Sequence, residues 1–375
     1  MGKQKLGFGM LRLPLIDGDN ARPDLEKVNV LVDAFLAAGN TYFDTSFVYH
    51  SGHSEETTRK TVVERHPRES FTVTTKLPVW NVREPDDVVK IFEQQLKNVG
   101  VDYLNYYLVH NVNSVVYENT IVPCHVFETL NELKKQGRIK NLGYSHHDSP
   151  ELLDRILTEH PEIDFVQIVL NYYDWTSSWV RSRECYETIR KHHRKVIIME
   201  PVKGGMLAHP PKALEEEMKR RRPNLSPAQW AMRFCAEMED VIAVLSGMNT
   251  LTQIEENTAL LGDPEPLTEE ERRMLIDSAP SYRELGPWHI SDFSVYSDIA
   301  DNGMPVAEIL ENYNIRLIQN NLGVLEIAEQ CYYSALKTRL GGPENGSWID
   351  KPLIDKGGND ITEMVREAEG YFLSL

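Results

Sequence analysis

The sequence predicts an α/β fold, a closed (β/α)8 TIM barrel with an appended small, mostly helical C-terminal unit. Three observations point there. Short β-branched or aromatic runs alternate with longer helical patterns through about residue 260. The strand ends recur at one strand–helix length: 32 residues from Asp44 to Lys76, 34 on to His110 and 35 on to Ser145. After about residue 262 the alternation stops. Repeated strand–helix alternation implies a parallel sheet flanked by helices, and eight units in about 250 residues suit a closed barrel. An open doubly wound sheet usually shows GxGxxG after its first strand; LGFGMLR lacks the third glycine and opens no helix.

In order, the expected strands are one within LGFGMLRLP (6–14), then Tyr42–Asp44, Phe71–Thr75, Tyr103–Val109, Ile139–Tyr144, Phe165–Leu170, Val196–Met199 and Val241–Leu245. DLEKVNVLVDAFLAAG (24–39) and DDVVKIFEQQLKNVG (86–100) have helical period and close on Gly39 and Gly100, as C-caps would. HDSPELLDRILTEH (147–160) opens with Asp148 or Ser149 as cap and Pro150 in the first turn. DPEPLTEEERRML (263–275) reads as a capped helix. Beyond it lie two amphipathic pieces, MPVAEILENYN (304–314) and DITEMVREAEGYF (360–372). The expected division is a barrel over 1–278 and an extension over 279–375.

A chain of 375 residues with 41% hydrophobic content can bury a large core. The net charge of −17 argues against nucleic acid or an anionic membrane as the main partner. No apolar run approaches the roughly 20 residues of a membrane helix, and MGKQKLGFGM holds no apolar signal core. Cys124, Cys185, Cys235 and Cys331 are far apart and form no CxxC. A cytoplasmic protein with reduced thiols is expected.

Active sites of such barrels lie at the carboxyl ends of the strands. There the sequence places Asp44, Tyr49 in the loop that follows it, Lys76 and His110. An ammonium beside a phenol favours phenolate, an aspartate can hold that ammonium charged, and an imidazole can orient a carbonyl oxygen. The set suits proton transfer to or from a carbonyl. Trp80, in the loop after Lys76, is a candidate apolar wall or a packing residue.

FDTSFVYHSGHSEE, TTK, DYLNYYLVHN, GRIKNLGYSHH, VQIVLNYYD, MEPVKGGML and LSGMNTLTQIEEN follow one another in an order and spacing that resemble the aldo/keto reductases. The likeness runs from about Leu6 to Leu260. It implies NAD(P)-dependent carbonyl reduction on a (β/α)8 barrel. By this resemblance Tyr49 is the proton donor, Lys76 and Asp44 tune it, and His110 orients the substrate. Ser145, His146 (where the family usually has Asn) and Gln167 would bind the nicotinamide carboxamide. Pro201, Lys203 and Gly204 lie in the pyrophosphate stretch, with the Lys203 side chain itself a contact. Gly247, Gln253, Glu256 and Asn257 fall at the adenosine end. GMNTLTQIEEN contains no Lys or Arg to pair a 2′-phosphate, so NAD and NADP both stand as cofactors.

No metal is expected. His50 and His53 beside Glu55 and Glu56, and the doublets His146–His147 and His192–His193, have no ligand geometry fixed by their spacing. The last third resembles the ferredoxin-like extension of some aldo/keto reductases, but SDFSVYSDIADNG and GGPENGSWIDKPLIDKGG carry no cysteine. An iron–sulfur cluster needs closely spaced thiolates, so none is expected. Ile309, Leu310, Met364 and Val365 would then hold the extension against the barrel as a lid or a subunit contact, which leaves a homo-oligomer open. The expected partner is a small-molecule carbonyl or alcohol. Two other readings stay open: a cofactor-binding regulatory subunit, and a lyase or epimerase that uses bound NAD transiently.

Overall fold

A computed structural model describes residues 5–262, 265–301, 304–324, 336–337 and 347–374. Cys331 lies outside the described residues. The chain divides into two compact units. The first holds residues up to Leu170, Ser182–Pro201 and Met232–Pro266; the second holds Asn171–Arg181, Val202–Ala231 and everything from Leu267. The extension expected from residue 279 thus clusters with the preceding helix Glu269–Asp277 and with the loops that follow the sixth and seventh strands.

In the first unit eight strands close a parallel barrel: β1 (Leu6–Gly9), β2 (Tyr42–Asp44), β3 (Thr72–Leu77), β4 (Leu104–Val112), β5 (Ile139–His146), β6 (Phe165–Val169), β7 (Lys195–Met199) and β8 (Val241–Ser246). Closure comes from β1 on β8, with Gly7 opposite Leu245 and Phe8 opposite Ser246. Tyr42, Leu108, Phe165, Ile197, Ala243 and Leu245 fill the interior. Because strand side chains alternate, the residues two further along β4 and β6, His110 and Gln167, face the same interior at its carboxyl end.

The helices form where the periodicity put them. Helix α1 (Leu25–Ala37) starts on Asp24, whose side chain accepts from Lys27 N, and buries Val28, Leu31, Val32 and Phe35. Phe35 meets Phe8 and Phe43 at centroid distances of 5.4 and 5.1 Å, pairs that add about 0.5–1.5 kcal/mol each. Helix α2 is the short Ser54–Thr58. Helix α3 (Pro85–Val99) has a reciprocal cap between Glu84 and Asp87 and ends at Gly100, whose φ of 79° closes it. Strands β3 and β4 run further than the sequence suggested. Lys76, which read as a strand end, is paired with Leu108 within the barrel, and β4 continues past His110 to Val112.

The second unit has its own core. Phe293, Met304, Ile309, Leu310, Trp348, Val365 and Phe372 are buried together, with Met364 packed against them. The helices Val306–Leu322 and Thr362–Ser374 supply most of it. A buried polar centre lies in the same unit. Lys203 Nζ donates to both oxygens of Asp174 at 2.9 and 3.0 Å, and Arg283 Nε donates to Glu311 at 2.6 Å. The Tyr173 ring lies under both cations, at 5.0 and 5.6 Å. Among the described residues no helix is long and apolar enough to cross a membrane.

Candidate active site

Asp44 is the last residue of β2 and Lys76 the fifth of β3; both are at most 2% exposed. Lys76 Nζ donates to Asp44 Oδ1 at 2.5 Å and to Thr45 O at 2.8 Å. It also stands 4.6 Å from the centroid of the Tyr49 ring. Burial pulls the Lys76 pKa down, but Asp44 and Tyr49 outweigh it and the net direction is up. Burial pushes the Asp44 carboxyl up, against the pull of Lys76. A charged ammonium pinned under a phenol is the result.

Tyr49 opens the turn Tyr49–Gly52 and is half-buried. His50 and Ser51 both adopt φ of 54°, a left-handed conformation that side chains other than glycine take only when held there. The hold is visible. His50 lies with Nε2 at 2.9 Å from Met10 O and Nδ1 at 3.2 Å from Asn20 O, and Ser54 Oγ meets Thr45 Oγ1 at 2.7 Å. These contacts fix where the phenol points.

His110 lies 6.3 Å from the Tyr49 ring and 5.3 Å from that of Trp80. Burial, then the charges of Lys76 and His147, drive its pKa well below the usual histidine value, so the imidazole is neutral at neutral pH. Its Nδ1 sits 3.3 Å from Ser46 Oγ. His110 itself lies within a shift of the β4–β5 register, between Val109 and Val112. Asn111 there has φ of 58° and donates its N–H to Ser145 Oγ at 2.7 Å. Such bulges re-aim side chains at the rims of sheets. Trp80 is 37% exposed, so Tyr49, His110 and Trp80 share one partly open face.

The residues expected to bind the cofactor divide. Ser145 pairs with Gln167 across β5 and β6, and both are buried. Gln167 Oε1 is buried without a hydrogen-bond partner. An amide N–H2 group would satisfy it, so the residues present fit a carboxamide. His146 does not join them. It stands on the outer face of β5, its ring 5.9 Å from Tyr144 and its Nε2 3.0 Å from Ser149 O; burial lowers its pKa to about 4. Alternation turns His147 rather than His146 to the side of Ser145, and burial, then His146, lowers the His147 pKa to about 3.

Pro201 is buried at the end of the β7 segment. Lys203 and Gly204 belong to the second unit. The Lys203 side chain, 1% exposed, is engaged by Asp174, the counter-charge that a buried ammonium requires. In the loop after β8, Gly247, Gln253 and Glu256 are exposed. Gln253 Oε1 accepts from Asn249 N at 2.8 Å, and Asn257 Nδ2 donates to Ser246 Oγ at 3.2 Å.

Arg12 escaped the sequence reading. A Cβ at Gly247 would lie 3.0 Å from Arg12 Cδ and 3.1 Å from its Cβ, so the arginine stem crosses the glycine. Arg12 lies far in sequence from the 247–257 loop it meets. Closure of β1 on β8 was the signal that brings the residues just past β1 to that loop.

Residues 5–279 match the Aldo/keto reductase family. The chain is 26% identical over 316 residues to "Probable aldo-keto reductase 1" of Glycine max, covering 74% of this chain and 85% of that one. It is 22% identical over 284 residues to the NADH-specific methylglyoxal reductase of Escherichia coli, covering 64% and 84%. Among solved structures, the aldo-keto reductase from Klebsiella pneumoniae in complex with NADPH superposes with a TM-score of 0.59 at 17% identity, covering 73% of this chain and 91% of that chain.

Proposed function

Because the chain belongs to the aldo/keto reductase family and is an enzyme of the oxidoreductase class, we propose that it interconverts a small-molecule carbonyl and its alcohol, with Tyr49 as the general acid and base. The observation that carries this is the buried Lys76–Asp44 pair lying directly against the Tyr49 ring. In reduction, Tyr49 gives its phenolic proton to the carbonyl oxygen. The ammonium of Lys76 stabilises the phenolate left behind, and Asp44 keeps that ammonium charged where water cannot. Neutral His110 donates an N–H to the same oxygen, with Ser46 on its other nitrogen. Trp80 walls the mouth, which favours a carbonyl with an apolar flank.

A bound NAD(P) cofactor supplies or accepts the hydride. Gln167 and Ser145 are the residues that hold its carboxamide on this reading. The Escherichia coli relative is NADH-specific by name and the Klebsiella structure holds NADPH. The stretch 247–257 carries no cation of its own, but the Arg12 stem crosses Gly247 and can bring a guanidinium to a 2′-phosphate, so NADH and NADPH are both taken as cofactors. Residues 279–375 are read as a ferredoxin-like extension that holds no cluster and is maintained by apolar contacts.

The test is turnover by the purified full chain of a panel of aldehydes, keto-sugars and keto-steroids with each reduced cofactor. Net cofactor consumption with at least one carbonyl is expected. Cofactor binding with no net consumption across the panel would overturn the reading in favour of a regulatory subunit or a lyase.

A further inference from the structure

Glu55, on α2, is 2% exposed. Its carboxylate is held by uncharged donors: Thr75 Oγ1 and Gln95 Nε2 each reach Oε1 at 2.6 Å, and Asn98 Nδ2 reaches Oε2 at 2.9 Å. Burying a carboxylate against neutral partners is costly, and an apolar residue of similar volume could pack α2 onto β3 without that penalty. The charge therefore needs an explanation beyond packing.

The surroundings supply one. Thr75 faces out of the barrel because Lys76, next in β3, faces in. Gln95 Nε2 bonds the main-chain oxygen of Lys76 at 2.9 Å as well as Glu55. Tyr107, on β4, donates to Gln95 Oε1 at 2.5 Å. Glu55 thus lies one strand thickness behind Lys76, on the helix that begins two residues after the Tyr49 turn. Lys76 is faced by Asp44 from β2, Tyr49 from its turn and His110 from β4. Glu55 is faced by Lys76 from β3 and Tyr107 from β4.

We propose that Glu55 is a positioning residue of the active site: a second, hidden counter-charge to Lys76 that docks the Tyr49 turn on β3 and sets how tightly Tyr49 holds its proton. The inference rests on the reading of Tyr49 as the proton donor. The carboxylate acts on both groups in one direction. It keeps the proton on Lys76, and it opposes premature ionisation of Tyr49, which Lys76 alone would promote. Burial raises the Glu55 pKa, and Thr75, Asn98, Gln95 and the charge of Lys76 oppose that rise.

The experiment is titration of the Tyr49 phenol by ultraviolet difference spectra, each protein measured against its Tyr49→Phe counterpart, since the chain has 16 tyrosines. Glu55→Gln keeps the shape and removes the charge. Its Tyr49 midpoint should fall by about half a pH unit or more, the effect of one charge across a strand at an effective dielectric of about 20–40. The alkaline limb of kcat should move the same way, with KM for the carbonyl changed by less than about threefold. Asp154→Asn, which removes a surface carboxylate paired with Lys191, should leave the midpoint in place. A folded Glu55→Gln protein whose midpoint stays or rises overturns the proposal, because a merely structural loss would free Lys76 and strengthen the phenol's hold on its proton. If Glu55→Gln does not fold, Glu55→Met with Asn98→Leu removes the charge and one stranded donor together, and carries the same expectation. A shifted midpoint in a protein that turns over no carbonyl would sink the oxidoreductase reading and leave this coupling standing; turnover with an unmoved midpoint would sink the coupling alone.

Discussion

Replacing Asp44 by Asn should destabilise the protein in a way that depends on pH with a definite sign. The Lys76–Asp44 contact is 2.5 Å and both side chains are at most 2% exposed, so Asn leaves the buried ammonium without the carboxylate in contact with it. Breaking such a pair from one side costs about 3–5 kcal/mol. At about 2–4 °C per kcal/mol for a domain of roughly 150–250 residues, that is a fall in Tm of about 6–20 °C at neutral pH. In the wild type the folded-state pKa of Lys76 is raised. Its contribution to stability is therefore fully present below the unfolded value of about 10.4 and is lost as pH rises through the folded value. In the variant the folded value drops below the unfolded one, so the penalty is largest near neutrality and shrinks as pH climbs and Lys76 sheds its proton in the folded state. Thermal and urea unfolding of both proteins at neutral and alkaline pH measure this directly. A variant within about 1 kcal/mol of wild type at pH 7, or a penalty that grows with pH, would refute the buried ion pair as described.

Tyr49→Phe should keep cofactor binding and lower turnover by at least about 10²-fold; near-wild-type turnover ends the assignment of the general acid. Gln167→Leu removes the buried oxygen that awaits a donor and should weaken both reduced cofactors by about fivefold or more with little effect on folding, since no protein hydrogen bond to that oxygen is lost. Equal binding by fluorescence titration would remove Gln167 from the site. The purified protein should be colourless and hold no stoichiometric iron even when prepared without oxygen; visible absorption with bound iron would contradict the cluster-free reading of the extension. Truncation after Ser278 deprives Tyr172 of its Tyr282 partner and Tyr173 of Arg283 and Glu311. It should cost solubility or change substrate affinity, and a soluble product with unchanged kinetics would refute a functional extension.

The barrel was legible because its signal repeats. Asp44, Lys76, His110 and Ser145 recur at one strand–helix interval, and no single propensity decides the outcome. The Asp44–Lys76 pairing followed from the same spacing, since neighbouring strands carry both. Other features depend on atoms that local sequence does not encode. Which half of His146–His147 faces inward rests on where β5 ends, and a shift of one residue exchanges the two faces. Lys203 in a glycine-rich loop reads as a phosphate contact; its counter-ion, Asp174, is 29 residues earlier in a loop without periodicity. Arg12 became visible only through closure of β1 on β8. The partnership of residues 171–181 and 202–231 with the extension is wholly tertiary, and nothing in the composition of those loops marks it.

The polar centre of the second unit also sets a timetable for synthesis. Asp174 and Lys203 leave the ribosome early, whereas Arg283 and Glu311, which share the Tyr173 ring with them, follow roughly 100 residues later. At about 5–20 residues per second, the two loops wait on the order of 5–20 seconds before their late partners exist. During that interval Tyr172 lacks its Tyr282 partner, and Tyr173 lacks Arg283 and Glu311. Pairings of such long sequence separation also form slowly. Chaperone dependence, and sensitivity to slowed translation over the codons for residues 210 to 310, should therefore trace to this late-assembling centre rather than to the barrel strands.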